Sequence, residues 1–311
     1  MKLSIVATLY QSATYIREFH QGATAAAKQC AGDDYEIVLV NDGSPDNSLE
    51  LALRLTEADS HVVVVDLSRN FGHHKAMMAG LEHSKGELVF LIDSDLEEDP
   101  AWLLEFASTM LLESADVVYG VQRTRKGNWF ERWSGKLYYS VFNYLTDTKI
   151  PQNMVTARLL SRRYVNSLLR FTERELVIGC LWVSTGYKQC AHVIDKKSKG
   201  SSSYSFVKKI DLFILSVTSF SDIPLKIGFY FGLVVSITSL IFGIFLVYSR
   251  LSTGVGVDGW TSVMVSVWLL GGCLTFFIGL VGLYVSKIFA ETKQRPLTIT
   301  REIYGRDKCK D

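Results

Sequence analysis

The sequence lacks the patterns that mark several common protein classes. Its five cysteines are scattered and include no CxxC pair, so neither a zinc site nor a disulfide framework is expected. It has no GxxxxGK[ST] run, so a P-loop is not expected either. With 33 basic and 32 acidic side chains, the chain has a net charge of +1, which is too small to attract nucleic acid through overall charge. Nucleic acid is therefore not expected as a partner.

Charge is nearly absent from two long apolar stretches. Residues 225–249 contain only Lys226, and residues 260–288 contain none until Lys287. Each exceeds the roughly 20 residues that a helix needs to cross a bilayer. The basic excess after residue 288 predicts a cytoplasmic tail, and two spans then place the N-terminal domain in the cytoplasm as well.

The predicted membrane region therefore has four parts. Residues 225–249 and 260–288 are the two transmembrane helices of a hairpin, and residues 289–311 are the cytoplasmic tail. Residues 207–224 begin with a basic pair and are rich in apolar side chains, which fits either an interfacial helix or an ordinary domain helix.

The first 121 residues alternate between apolar, β-branched runs and helix-like stretches. Strands are expected at 3–9, 36–40, 62–67, 88–92 and 117–121. Helices are expected around 13–30, 47–58, 73–84 and 100–113. Strands that are apolar throughout and alternate with helices predict a parallel sheet covered on both faces. Residues 1–206 are accordingly expected to form an α/β domain.

Parallel sheets bind ligands at the carboxyl ends of their strands, and polar side chains cluster there. Asp93 and Asp95 directly follow the fourth predicted strand and could hold Mg²⁺ or Mn²⁺ against a diphosphate. The alternative is a capped loop that opens the next helix. Asp42 follows the second strand and fits either a β-turn or a hydrogen bond to a base or ribose. His73 and His74 are adjacent on a helix, so a shared metal site is not expected.

Basic side chains are concentrated at two places in residues 122–206. One cluster includes Arg123, and the other spans residues 196–199 with Lys197 and Lys199. Each cluster could be a solvated face, or it could attract the phosphates of a substrate.

Several segments, taken together and in order, carry a resemblance over almost the whole chain. They are LSIVATLYQS, VNDGSPDNS, LSRNFGHHKAMMAGL, GELVFLIDSDLEEDP, DVVYGVQR, ARLLSRRYV, TSFSDIPL and RPLTITREIYG. The chain resembles the bacterial polyprenyl-phosphate glycosyltransferases, relatives of dolichol-phosphate mannose synthase in glycosyltransferase family 2. The resemblance implies a GT-A fold followed by a two-helix transmembrane hairpin. It also implies inverting, metal-dependent transfer of a sugar, with UDP-glucose or another UDP-hexose as the leading donor, to polyprenyl phosphate.

The resemblance also implies a location in the bacterial inner membrane, with the catalytic domain in the cytoplasm. It further implies roles for particular residues. Catalysis would involve Asp93, Asp95, Arg123 and Arg158, with Asp95 and Asp93 on the metal. The nucleotide would be held by Thr8, Tyr10, Asp42, Arg69, Asn70, Lys75 and Asp93. The phosphates of donor or acceptor would meet Arg123, Arg158, Lys197 and Lys199. The expected partners are a nucleotide diphosphate-sugar, polyprenyl phosphate and the bilayer, with a homo-oligomer as a further possibility.

The chain departs from the resembled pattern at two places. A Glu at the first strand edge is replaced within residues 8–12, and an acidic residue often proposed as a base is absent from residues 155–157. The altered residues 155–157 keep open a non-catalytic adaptor that binds nucleotide-sugar, and a polysaccharide synthase acting on a glycan acceptor is a second alternative. The synthase reading lacks its Gln-x-x-Arg-Trp motif, because residue 129 is Trp rather than Gln.

Overall fold

The structure is a computed structural model that describes residues 1–122, 151, 153–174, 176–195, 221–253 and 259–305. The described residues divide into two compact units. One unit comprises residues 1–195, with the gaps given, and residues 295–305; the other comprises residues 221–294. The first unit is built around a single eight-stranded sheet.

The sheet has the strand order β7-β5-β6-β4-β1-β2-β3-β8. Its strands are β1 (Leu3–Leu9), β2 (Tyr35–Asn41), β3 (Val62–Leu67), β4 (Leu88–Leu91), β5 (Val117–Gln122), β6 (Met154–Ser161), β7 (Gln189–Ile194) and β8 (Thr300–Tyr304). The predicted strands are confirmed to within one residue at each end. Pairs β1–β2, β1–β4 and β2–β3 are parallel, as the uniformly apolar runs predict.

The sheet as a whole is mixed, which corrects the prediction of a parallel sheet. β6 lies between β4 and β5 and runs antiparallel to both. β8 runs antiparallel to β3 at the opposite edge. Both antiparallel strands come from segments outside the alternating N-terminal pattern, so the local periodicity held no signal for them.

Six helices belong to the sheet unit within its described residues: α1 (Ile16–Ala31), α2 (Ser48–Ala58), α3 (His73–His83), α4 (Trp102–Glu113), α5 (Arg162–Leu168) and α6 (Ile178–Ser184). Side chains of β1 alternate between the two faces of the sheet. Leu3 and Ile5 enter the core together with Phe19 of α1 and Phe106 of α4. The helix α3 packs on β1 and β2 through a separate set of buried residues.

The segment predicted as a cytoplasmic tail, residues 289–311, includes a strand of the sheet, and its cytoplasmic location stays a prediction. The second long helix continues to Thr292, and the chain then forms β8, which pairs with β3. Covering β3 in this way protects an edge strand that would otherwise expose unpaired backbone groups.

The helical unit consists of α7 (Ile223–Thr253) and α8 (Trp260–Thr292). Within this unit Gly228 approaches the ring of Phe277 so closely that a Cβ would lie 2.8 Å from it. Among the described residues, Ser266–Thr292 is long and apolar enough to cross a membrane, whereas the apolar part of α7, Ile223–Ser239, is shorter. Most of the predicted interfacial segment, residues 207–220, lies outside the described residues.

Candidate active site at the carboxyl edge of the sheet

The ends of β1 and β4 are tied together by Ser94, the residue between the two predicted metal ligands. Its hydroxyl donates to the carbonyl of Thr8 over 2.8 Å and lies 3.2 Å from Ser12 Oγ. Ser94 and Ser12 are both buried. This anchor fixes the loop against the sheet, while Asp93 and Asp95 on either side stay partly exposed.

The Asp93 carboxylate is oriented by a histidine from α3. His73 Nε2 lies 3.2 Å from Asp93 Oδ1, and His73 Nδ1 lies 3.0 Å from Thr8 Oγ1. Burial alone would lower the pKa of His73. The hydrogen bond and charge of Asp93, with the charges of Glu98 and Asp42, outweigh burial and raise that pKa above its ordinary value.

The loop after β4 folds back on itself through two further carboxylates. Asp95 Oδ1 accepts the N–H of Glu97 over 2.9 Å. Glu98 is fully buried, and its two oxygens accept the N–H of Asp93 over 3.4 Å and of Thr156 over 3.0 Å. Glu98 therefore connects the aspartate loop to β6.

The donor chemistry of this edge fits a hard divalent cation. The described residues contain no group of three or more His, Cys, Asp or Glu side chains placed to hold a metal by themselves. Mg²⁺ and similar ions commonly use one or two carboxylates together with substrate phosphates. Asp93 and Asp95 are the predicted pair, and a metal held by them would need further ligands such as the oxygens of a bound diphosphate.

Asp42 holds the loops after β2 and β3 together. It is 2% exposed, and its oxygens accept the N–H of Phe71 over 2.7 Å and of Gly72 over 3.0 Å. Burial raises the pKa of Asp42, although these two hydrogen bonds oppose the rise. Its predicted contact with the nucleotide stays a prediction, because these backbone groups occupy it here.

Gly43 allows the same two loops to touch. Its φ of +58° lies in the left-handed region, and a Cβ there would collide with the backbone nitrogen of Asn70. The predicted nucleotide residues Tyr10, Arg69 and Asn70 are exposed at this rim, and Lys75 is partly buried beside them. The Arg69 guanidinium stacks over the Phe71 ring at 4.2 Å.

Arg158 occupies a different place from the one expected for a phosphate ligand. Its side chain is fully buried, and it donates from Nε to Thr156 O over 3.1 Å and from Nη2 to Val155 O over 3.0 Å. Its guanidinium carbon lies 2.9 Å from the centroid of the Trp182 ring, and burial lowers the pKa of Arg158 to about 9. With no exposed surface, Arg158 does not face a phosphate in this structure, and its role in transfer stays a prediction.

The other predicted phosphate ligands, Arg123, Lys197 and Lys199, lie outside the described residues. Two residues of the site were missed by the sequence analysis. Glu98 was read as part of an acidic helix start, and His73 was considered only as half of a histidine pair. A useful signal for His73 was its position on the first turn of a helix that follows β3, at the ligand-binding edge.

The mixed sheet, with two aspartates at the carboxyl end of β4, is the GT-A arrangement of glycosyltransferases. Residues 4–170, more than half of the chain, match the family described as Glycosyl transferase family 2. The chain belongs to this family and is a glycosyltransferase.

Relatives of known name extend over nearly the whole chain. A protein of Mycobacterium tuberculosis (strain CDC 1551 / Oshkosh) called "Putative glycosyltransferases" is 48% identical, and the match covers 99% of this chain and 90% of that protein. A protein of Escherichia coli (strain K12) called "Prophage bactoprenol glucosyl transferase homolog" is 30% identical and is matched over 97% and 99%. Among solved structures, S. aureus TarS 1-349 in complex with UDP-GlcNAc has a TM-score of 0.47 at 18% identity, covering 71% of this chain and 68% of that chain.

Proposed function

We propose that this glycosyltransferase transfers a hexose, with inversion, from a nucleotide diphosphate-sugar to polyprenyl phosphate. UDP-glucose is the leading donor, and the lipid-linked sugar would supply modification of cell-envelope glycans. The observation that supports a nucleotide diphosphate-sugar as the donor is the aspartate pair at the carboxyl end of β4, with His73 Nε2 lying 3.2 Å from Asp93 Oδ1. The name of the E. coli relative, whose match covers 97% of this chain, supports the lipid acceptor.

Mg²⁺ or Mn²⁺ would be held by Asp95 and Asp93 together with the donor diphosphate. When bound, such an ion neutralises the charge that develops on the departing nucleoside diphosphate. The chain's own contribution is to fix the two carboxylates: Ser94 anchors their loop, and His73 orients Asp93. Preorganised ligands of this kind lower the barrier because little rearrangement is needed during the reaction.

A lipid monophosphate suits a site without an assigned general base. A sugar hydroxyl normally needs a base to become a nucleophile at neutral pH. A phosphate monoester has its second pKa near about 6, so it is already mostly dianionic at pH 7. The absence of an acidic residue at 155–157 is then no obstacle. Positive charge from the predicted phosphate residues would reduce repulsion between the two anionic substrates.

The membrane part of the proposal follows from chain connectivity. Ser266–Thr292 has the length and hydropathy of a transmembrane helix. Because β8 follows that helix and pairs with β3, the chain returns to the sheet unit after α8. A chain that leaves and rejoins the same domain crosses a bilayer an even number of times, which supports two spans with the catalytic domain in the bacterial cytoplasm.

A donor panel tests the proposal. Purified full-length protein is incubated with Mg²⁺ or Mn²⁺, with polyprenyl phosphate or a glycan acceptor, and with labelled UDP-glucose, UDP-galactose, UDP-GlcNAc or GDP-mannose in turn. We expect label from one UDP-hexose to enter the organic phase as a glycosylated lipid. Transfer only to a glycan acceptor would support the polysaccharide synthase instead. Donor binding without turnover on any acceptor would support the non-catalytic adaptor.

A further inference from the structure

The buried carboxylate of Asp66 contacts both the neighbouring strand β2 and the C-terminal strand β8. Asp66, on β3, is 1% exposed. Its Oδ1 accepts the amide N–H of Asn41 over 2.7 Å, and its Oδ2 lies 3.2 Å from Arg301 Nη1 on β8. Removal of Arg301 would leave this buried carboxylate without its cationic partner, which is unfavourable.

Arg301 is aimed at Asp66 by an irregularity in the strand pairing. Glu302 pairs with Asp66 and Thr300 pairs with Leu67, so Arg301 is the extra residue of a bulge. Bulges of this kind redirect a side chain away from the regular alternation of a strand.

The same segment holds both backbone groups of Ser68, at the start of the loop after β3. Arg301 Nη2 donates to the Ser68 carbonyl over 2.8 Å, and the Ser68 N–H donates to the Ile299 carbonyl over 2.9 Å. The loop that carries Arg69 and Asn70 therefore begins at a residue fixed by the C-terminal segment.

Asn41 connects Asp66 to the loop that follows β2. The side-chain nitrogen Nδ2 of Asn41 donates to Asp66, and the side-chain oxygen Oδ1 accepts the backbone N–H of Ser44 over 3.2 Å. Asn41 immediately precedes Asp42, whose carboxylate holds the N–H groups of Phe71 and Gly72. Both loops of the predicted nucleotide pocket are thus attached to the Asp66 network.

We propose that Arg301 is a positioning residue of the donor-nucleotide pocket, which makes β8, the strand that follows the apolar helix α8, a structural support of that pocket. This inference rests on the proposed function, because it takes the loops at 41–44 and 68–72 to bind the donor nucleotide. Arg301 touches no substrate in this account. It acts by holding Asp66 and Ser68, and through them the two loops, in the shape that the nucleotide meets.

The expected effect is selective for the donor. Arg301→Met keeps the apolar stem but removes the charge and both hydrogen bonds. We expect it to raise the dissociation constant for nucleotide about tenfold, the scale for losing one member of a coupling network. The KM for the sugar donor should rise by a similar factor, while the KM for polyprenyl phosphate stays the same.

Rescue separates positioning from a general loss of stability. Asp66→Asn with Arg301→Met removes the uncompensated charge yet keeps an oxygen that can accept from Asn41. The double variant should recover part of the lost affinity. Glu302→Gln is the matched control on the same strand, since its side chain bonds to Tyr304 rather than to Asp66. Thermal unfolding of every variant shows how much of each sample is folded.

The measurement is calorimetric titration of full-length protein in detergent with UDP and with GDP, followed by donor and acceptor kinetics. A weaker nucleotide affinity in Arg301→Met, with partial recovery in the double variant, supports the inference. An unchanged dissociation constant in folded Arg301→Met overturns it. An equal rise in both KM values, or no recovery, also overturns it. Wild-type protein that binds neither nucleotide would contradict the proposed function itself.

Discussion

His73 joins the edges of two strands, because its Nδ1 lies 3.0 Å from Thr8 Oγ1 and its Nε2 lies 3.2 Å from Asp93 Oδ1. When the threonine hydroxyl donates to Nδ1, the ring proton sits on Nε2, the nitrogen that lies beside the Asp93 carboxylate. The imidazole then acts as a spacer of fixed orientation between β1 and the aspartate loop. Partners that orient metal ligands in this way commonly decide how well the metal is bound.

Two substitutions of His73 distinguish its two contacts. Glutamine can place an amide N–H near the position of Nε2, whereas asparagine reaches only the position of Nδ1. We expect His73→Asn to raise the metal concentration for half-maximal activity by about 10- to 100-fold, and His73→Gln to stay close to wild type. His74→Gln is the control, because His74 Nδ1 faces the Leu176 carbonyl at 3.4 Å instead. Equal metal requirements in all three variants would show that His73 does not orient Asp93.

If Asp95 binds the metal, replacing one of its carboxylate oxygens with an amide nitrogen should lower activity. Asp95→Asn should lower kcat at least about 100-fold, the scale for losing one well-placed electrostatic stabiliser. Asp99→Asn is the control, since the Asp99 carboxylate accepts the N–H of Ala101 at the start of the following helix. Transfer rates are measured with Mg²⁺, with Mn²⁺ and with EDTA. Full activity in EDTA would contradict metal dependence.

Gly43 should tolerate no side chain. Gly43→Ala forces a Cβ against the Asn70 backbone at a φ of +58°, so the two loops must separate. We expect a loss of about 1–3 kcal/mol in the free energy of unfolding, together with weaker nucleotide binding. Gly179→Ala, where no atom lies within 4 Å of the new Cβ, should be neutral or slightly stabilising. Urea unfolding of both variants checks this, and similar stabilities for the two would count against the close loop contact.

Asp116 should make the sheet unit sensitive to acid. Burial raises the pKa of Asp116, but the hydrogen bonds from Arg163 and Ser161 and the charge of Arg163 lower it by more. The pKa of Asp116 therefore lies below its ordinary value. A depressed folded pKa gives stability that is present above the unfolded value of about 3.9 and is lost as pH falls toward the folded value.

The corresponding variant is Asp116→Asn, compared with Asp33→Asn, whose residue is exposed. Asp116→Asn should be less stable than wild type at pH 7 and should lose less stability between about pH 5 and pH 3. Urea midpoints across this range measure both effects. If the urea midpoint of Asp116→Asn falls with decreasing pH as steeply as that of wild type, other groups cause the acid sensitivity.

The two-span topology predicts where a new cysteine can be labelled. Ser252→Cys lies near the end of α7, and Lys85→Cys lies on the surface of the sheet unit. In a cysteine-free background, a membrane-impermeant maleimide added to intact cells should label Cys at position 252 but not at position 85. Labelling of position 85 from outside would reverse the topology and separate the site from cytoplasmic donors.

Local periodicity predicted the N-terminal half of the sheet accurately. β1 to β4 are mostly apolar and almost wholly buried because both faces of the sheet are covered, and the helices between them supply the contrasting pattern. β6 and β8 were not predicted because their pairing depends on residues far apart in the chain, such as Val64 with Tyr304. No window of neighbouring residues contains that information.

The site shows the same division. Asp93 and Asp95 were found because they directly follow an apolar strand. Glu98 was not, because only the fold brings Thr156 to it. By resemblance, Arg158 was expected to face the phosphates of donor or acceptor, but in the structure its side chain lies in the core beside Trp182. Residue type and order therefore located the edge of the sheet, while burial decided which side chains reach it.

The most direct test of the central claim compares two lipids that differ by one phosphate. Full-length protein receives labelled UDP-glucose and a metal ion with either polyprenyl phosphate or polyprenol, and lipid-bound label is measured over time. Because the dianionic phosphate is its own nucleophile, we predict rapid labelling of polyprenyl phosphate and none of polyprenol. Equal or preferred labelling of polyprenol would contradict the account.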